Sequence, residues 1–156
     1  METTNQAIVD GLQYKSKTIT GGVIKKPTVS SLKRKLDVVF SQYIRLKASK
    51  DGYSVCVTCG VKKPWKELQA GHYEKRGKNQ LRYDETNVHP QCVGCNVFQK
   101  GNYTRYARYM IDMYGADYLK ELEEEAKKIK QWKVYELEDL LTEYKAKLKA
   151  LDKDNQ

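Results

Sequence analysis

The chain has 156 residues, enough for one domain with an appended helical part, and its 29 basic and 20 acidic residues give a formal net charge of +9. That balance favours a polyanionic partner, and no apolar run approaches the roughly 20 residues a membrane-spanning helix needs. The start of the chain carries no signal-peptide pattern, so the expected compartment is a reducing one in which its four cysteines stay unpaired.

Residues 1–29 are polar, with Gly21-Gly22, Pro27 and no sustained period. They are expected to form a mobile basic arm carrying Lys15, Lys17, Lys25 and Lys26, with a short extended piece at 18–24. Ser30 or Ser31 is placed to cap a first helix. Its apolar stripe is Leu32, Leu36, Val39, Phe40, Tyr43 and Leu46 or Lys47, with Lys33, Arg34, Lys35 and Arg45 around the rest. The stripe is expected to pack against the cysteine-bearing module. Asp51-Gly52 then turns the chain.

Cys56-Val-Thr-Cys59 and Cys92-Val-Gly-Cys95 put two sulfurs each on a tight turn, with no cysteine left over. Four thiolates suit a tetrahedral structural Zn²⁺, here closing the base of a long hairpin. Residues 68–73 read as a strand ending at His72, and 74–79 as a basic loop. Residues 81–83 and 87–89 read as extended, with a turn at 84–86, and a helix is expected from Asn96. Strand, strand and helix then follow one another around His72, Asn87, His89 and Asn96.

The last third reads as helical. Tyr103–Tyr114 carries Tyr103, Tyr106, Met110 and Met113 or Tyr114 on one face, with Arg105 and Arg108 elsewhere. Gly115 breaks it. A helix at 116–129 follows, its acidic run at 121–125 expected to face solvent. The final helix bears Val134, Leu137, Leu140 or Leu141, Tyr144, Leu148 and Leu151. That seam either folds back on the Leu36/Phe40 face or pairs with a second chain. The resulting division is an arm (1–29), a helix with the zinc-bound core (30–102) and a helical region (103–156).

His72, Asn87 and Asn96, with Asn96 directly after the last cysteine, resemble the HNH (His-Me finger, ββα-metal) nucleases. Ala70-Gly-His-Tyr73, Gln80-Leu-Arg-Tyr83, Asn87-Val-His-Pro-Gln-Cys-Val-Gly-Cys-Asn96 and Lys100-Gly-Asn102 are similar to the NinG/Rap recombination nucleases of lambda-like phages. The helix containing Phe40-Ser-Gln-Tyr-Ile-Arg45 is similar to one those proteins carry. The resemblance covers residues 30 to 150. It implies an α+β fold with a zinc-braced ββα core flanked by N- and C-terminal helices. It also implies phosphodiester hydrolysis, branched DNA such as a Holliday junction as substrate, and the cytoplasm of a bacterial host.

By the same resemblance His72 is the general base, Asn87 holds its Nδ1 hydrogen so that Nε2 faces the water, and Asn96 ligates a catalytic Mg²⁺ or Mn²⁺. Many HNH enzymes carry a metal-binding aspartate just before the histidine, where this chain has Gly71. His89 is the candidate to replace it, ahead of Gln69 and Asp84. Lys75, Arg76, Lys78, Arg82, Lys100 and Arg105 are expected to meet DNA phosphates. Paired cuts across a junction imply a homodimer. Two other readings stay open: an HNH enzyme nicking duplex DNA, and a zinc-ribbon module that binds nucleic acid without cutting it.

Overall fold

The computed structural model describes residues 26–154; the extended piece expected at 18–24, and Lys15, Lys17 and Lys25, lie outside them. Helix α1 spans Val29–Lys47. Its N-cap is Thr28, one turn ahead of the expected serines. The Thr28 hydroxyl accepts the Ser31 amide at 3.1 Å, and the Ser31 hydroxyl accepts the Thr28 amide at 3.0 Å. This reciprocal box satisfies two N–H groups that the first turn would leave orphaned. Leu32, Leu36, Phe40, Tyr43 and Ile44 then recur at helical spacing and are buried.

The partner of that stripe is helix α4 (Val134–Asp154), which presents Leu137, Leu141 and Tyr144, with Leu140, Leu148 and Leu151 beside them. The expected leucine seam is thus covered inside one chain. The expectation that α1 packs on the cysteine module is met in part: Phe40 and its neighbours share a core with Ala70, Tyr83 and Val88, and α4 covers the rest of the stripe. Arg45 adds polar contacts to that module, donating to the carbonyls of Lys66 and Leu68 at 3.2 and 3.0 Å.

Strands β1 (Tyr53–Val55) and β2 (Lys62–Pro64) pair antiparallel around the first cysteine turn. Strands β3 (Gln69–His72) and β4 (Val88–Gln91) pair antiparallel, with Gly71 opposite His89 and His72 opposite Val88. Between them residues 81–83 are not extended as expected. A tight 3-10 turn at Asn79–Leu81 leads into further turns, because Leu81 buries its side chain while its carbonyl accepts from the Asn87 amide.

The helix expected from Asn96 is only a five-residue turn, Gly94–Phe98, of the wide π type. Lys100, Gly101 and Asn102 follow at φ of 51°, 96° and 48° and stop it. Helices α2 (Tyr103–Tyr114) and α3 (Ala116–Glu125) come next. Helix α3 ends before the expected 129 because the Glu125 and Lys130 carbonyls accept from Gln80 and Asn79 at 2.6 and 2.9 Å.

The β3–β4 hairpin is the middle layer of this α+β molecule. On one side Val88, Tyr83 and Ala70 join the α1–α4 core. On the other, Tyr73 and Leu81 pack with Tyr106, Met110, Leu119 and Leu122 of α2 and α3. Each fully buried large apolar side chain contributes roughly 1.5–3 kcal/mol. Among the described residues no helix is long and apolar enough to cross a membrane.

Candidate functional site

Cys56, Cys59, Cys92 and Cys95 converge, with all four sulfurs within 4.8 Å of one another and Cys59 Sγ 3.8 Å from Cys92 Sγ. Sulfurs on a tetrahedron around Zn²⁺, each about 2.3 Å from the ion, span a volume of this size, so the cluster fits the expected structural zinc. Two of the thiols are tuned in opposite directions. Burial opposes ionisation of Cys56, but the Thr58 hydroxyl at 3.2 Å and nearby backbone amides hold its pKa down at about 6. Cys59 goes the other way. The Val61 amide favours its thiolate, yet burial and the three other sulfurs push it up to about 12. Four thiols in so small a space cannot all ionise unless a cation joins them. Among the described residues this is the one such convergence of His, Cys, Asp or Glu ligand atoms.

His72, at the end of β3, opens on a cleft of about 510 Å³ lined also by Asp37, Arg45, Gln69, Arg76 and Asn96. Its Nε2 lies 2.9 Å from the Arg82 carbonyl oxygen. A carbonyl only accepts, so Nε2 carries the hydrogen and Nδ1 keeps the lone pair. Burial pulls the pKa below the ordinary histidine value, against that hydrogen bond, and keeps the ring neutral near pH 7. The ring is therefore a base, but through Nδ1, the reverse of the expected orientation.

Asn87 does not touch His72. It is wholly buried, accepts the Glu74 amide at 2.8 Å and donates to the Glu74 and Leu81 carbonyls at 3.0 and 3.1 Å. It ties Glu74 to Leu81, the residue before Arg82, and so supports the His72 ring at one remove.

His89 is not beside His72 and Asn96 either. Its side chain leaves the hairpin on the α2 face. The Tyr106 hydroxyl donates to the Gly71 carbonyl at 2.8 Å, so it accepts from His89 Nδ1 at 3.0 Å; His89 Nε2 then accepts from the Tyr114 hydroxyl at 2.9 Å. Both nitrogens are engaged, and burial drives the pKa to about 4. The expected metal role for His89 is replaced by a structural one. Asp84 is occupied as well, accepting the Thr86 amide and hydroxyl at 2.8 and 2.7 Å.

Lys75, Arg76 and Lys100 line the same opening as His72 and Asn96. Lys78 and Arg105 are exposed. Arg82 departs from the expected phosphate role: its guanidinium grips Asp37 at 2.9 and 2.6 Å and donates to the Arg76 carbonyl at 3.0 Å. Asp37 also accepts from Tyr83 at 3.0 Å.

A catalytic Mg²⁺ or Mn²⁺ would find a single unengaged side-chain amide oxygen in this cleft. Asn96 donates its Nδ2 to Gln69 Oε1 at 2.7 Å, which leaves its own Oδ1 as an acceptor. Behind it lies Gln91, which the sequence did not single out. Gln91 is wholly buried, and its Nε2 donates to the Gly101 carbonyl at 2.9 Å and to Thr58 Oγ1 at 3.3 Å. Its Oε1 is buried with no hydrogen-bond partner. A Cβ on residue 71 would come 1.9 Å from that oxygen, so only glycine fits there while Gln91 holds its place.

The family model described as "Bacteriophage Lambda NinG protein" matches residues 20–154. The chain is 36% identical over 97 residues to Protein ninG of Salmonella phage P22, 35% to that of Escherichia phage 933W and 34% to that of Escherichia phage lambda. Each match covers 62% of this chain and 47% of the relative, so the chain spans about half the length of the curated relatives it matches. No solved structure matches it.

Proposed function

The chain belongs to the family of the bacteriophage lambda NinG protein, and from that membership and the His72 cleft we propose that it is a metal-dependent DNA endonuclease acting on branched DNA. One observation carries the reading. His72 is held by a backbone carbonyl at Nε2, so its Nδ1 is a neutral base, in a cleft shared with Asn96 and rimmed by Lys75, Arg76 and Lys100.

In this reading Lys75, Arg76 and Lys100 hold the DNA backbone across the opening, a sequence-independent contact that weakens with salt. His72 Nδ1 takes a proton from water as the water oxygen bonds to phosphorus and the bond to the leaving 3′ oxygen breaks. A divalent cation, when bound, supplies charge that offsets the phosphate and the leaving oxygen. Asn96 contributes an amide oxygen toward it, while Asn87 and Arg82 keep the His72 ring aligned. Two copies on one junction would supply symmetric cuts, through some surface other than the α4 seam.

The test is incubation with a labelled four-way junction and with its separate duplex arms, with Mg²⁺ or Mn²⁺ and with chelator. Metal-dependent cutting of the junction in preference to the arms is the expected result. Equal cutting of the arms favours a duplex nickase. Tight binding without cutting of either favours a zinc module that only binds nucleic acid.

A further inference from the structure

The hairpin of β1 and β2 turns an apolar and basic face outward. Ser54 points in and donates to the Ala48 carbonyl at 3.0 Å, so Tyr53 and Val55 on either side of it point out, each 47% exposed. Pro64 and Lys62 stand opposite them in register and share that face. The Lys62 ammonium lies 5.4 Å from the centre of the Tyr53 ring. Beside this face a cavity of about 420 Å³ reaches in to β4 and α2, with Lys50, Tyr53, Val55, Lys62, His89 and Tyr109 among its walls. Lys50 and Lys62 outnumber the one acid that lines it, Asp51.

The inner wall is aromatic. The Tyr109 ring meets that of His89 edge-on, at 4.9 Å and 73°. Both His89 nitrogens are taken by other tyrosines, so the histidine offers the cavity only its ring. The Tyr109 hydroxyl has no hydrogen-bond partner among the described residues and is free to meet a ligand. None of these residues lines the His72 cleft, and His89 leaves the β3–β4 hairpin on the face opposite to His72. DNA held at His72 therefore leaves this cavity open.

We infer that the cavity takes an unstacked nucleotide of single-stranded DNA, its base lying on Tyr53 and its flanking phosphates meeting Lys62 and Lys50. Exposed ring and valine surface suits a planar base, and the two cations suit a backbone charged at every residue. Every base has a π-face, so the site tolerates any sequence. Lys62 already rests against the Tyr53 ring, and a base that takes its place frees the ammonium for the adjoining phosphate. The use of this site rests on the endonuclease reading, although its binding does not: while one strand lies at His72, a strand left unpaired at the branch is held on the other face of the hairpin.

The experiment measures fluorescence anisotropy of a short labelled thymidine strand with the zinc-loaded full chain, over a range of salt. Tyr53→Ala is expected to weaken binding about ten-fold, and Tyr53→Trp to preserve it. Lys62→Ala is expected to weaken it less and to lower the slope of log affinity against log salt by about 0.7, the mark of one lost phosphate contact. Both side chains are exposed, so zinc content and unfolding midpoint should stay as they are. A strand carrying 5-iodouracil should crosslink under ultraviolet light to Tyr53 or Tyr109, as located by mass spectrometry. Equal affinity in wild type, Tyr53→Ala and Lys62→Ala, or crosslinks confined to other residues such as Tyr103, overturns the proposal and leaves the cavity to another occupant. Tyr53-dependent binding by a chain that cuts no junction keeps the site and removes the nuclease; junction cutting with Tyr53-independent binding does the reverse.

Discussion

The two histidines sit one residue out of register on one hairpin, so they leave it on opposite faces and occupy opposite chemical worlds. His72 gives one nitrogen to a backbone carbonyl and turns the other toward a cleft with exposed cations around it. His89 has both nitrogens closed by the Tyr106 and Tyr114 hydroxyls, and its ring lies 4.9 Å from that of Tyr109. The difference teaches that burial alone does not distinguish a reactive histidine from a structural one. Both have pKa values lowered by burial. What separates them is whether a lone pair is left with nothing to accept.

The largest perturbation should erase the contrast altogether. Stripping the zinc, or Cys95→Ser, removes a contribution on the order of 10 kcal/mol and with it the anchor of both strands. Circular dichroism of the chelated protein should show loss of the native fold, and a folded zinc-free chain would disprove the structural role. Next, His72→Ala should reduce cleavage by on the order of 10² to 10⁴ with little change in unfolding midpoint. His89→Ala should do the reverse, costing about 2–4 kcal/mol of stability and leaving the rate per folded molecule intact. Comparable rate losses in both variants would collapse the comparison.

Acid should find His89 selectively. Its folded pKa of about 4 lies below the ordinary ~6.5, so the unfolded chain binds more protons between those values. Stability is therefore fully present above pH 6.5 and falls toward pH 4, by roughly 3 kcal/mol from this group. Zinc release adds its own acid sensitivity, so the measurement is the difference in urea midpoints between the wild type and His89→Phe across that range. A pH slope unchanged by His89→Phe would show that the tyrosine cage does not hold the ring neutral. The smallest effect belongs to Tyr114→Phe, which deletes one hydroxyl donor and should cost about 1 kcal/mol without touching cleavage.

How much of this could be read from the chain depended on the distance over which each signal acts. The cysteine pairs and the α1 and α4 stripes are local patterns, and the structure contains them. The partner of the stripes was readable only as an alternative, because periodicity marks a buried face without saying what covers it. Residues 81–83 looked extended from their residue types, but the buried Asn87 amide takes the Leu81 carbonyl and imposes a turn. Asn87 was given its role by the family resemblance, and Arg82 by its place in a basic group expected to meet phosphates. Their partners, Glu74 and Asp37, are set by tertiary contact. Gln91 and Gly71 lie twenty positions apart, and only the antiparallel register brings them together.

The pairing of α1 with α4 carries a consequence for how the molecule is made. Among the described helices, the first to emerge during synthesis is covered chiefly by the last. At about 5–20 residues per second the Leu36/Phe40 stripe waits several seconds for Leu137 and Tyr144. The contact spans nearly the whole described chain, so the loop-closure entropy it must overcome is large and its formation late. The zinc hairpin, with its cysteines already synthesised, can close during that interval and serve as the template. A chain interrupted before residue 134 would present a folded metal module with an open apolar groove, the kind of surface that chaperones hold and that aggregates form around.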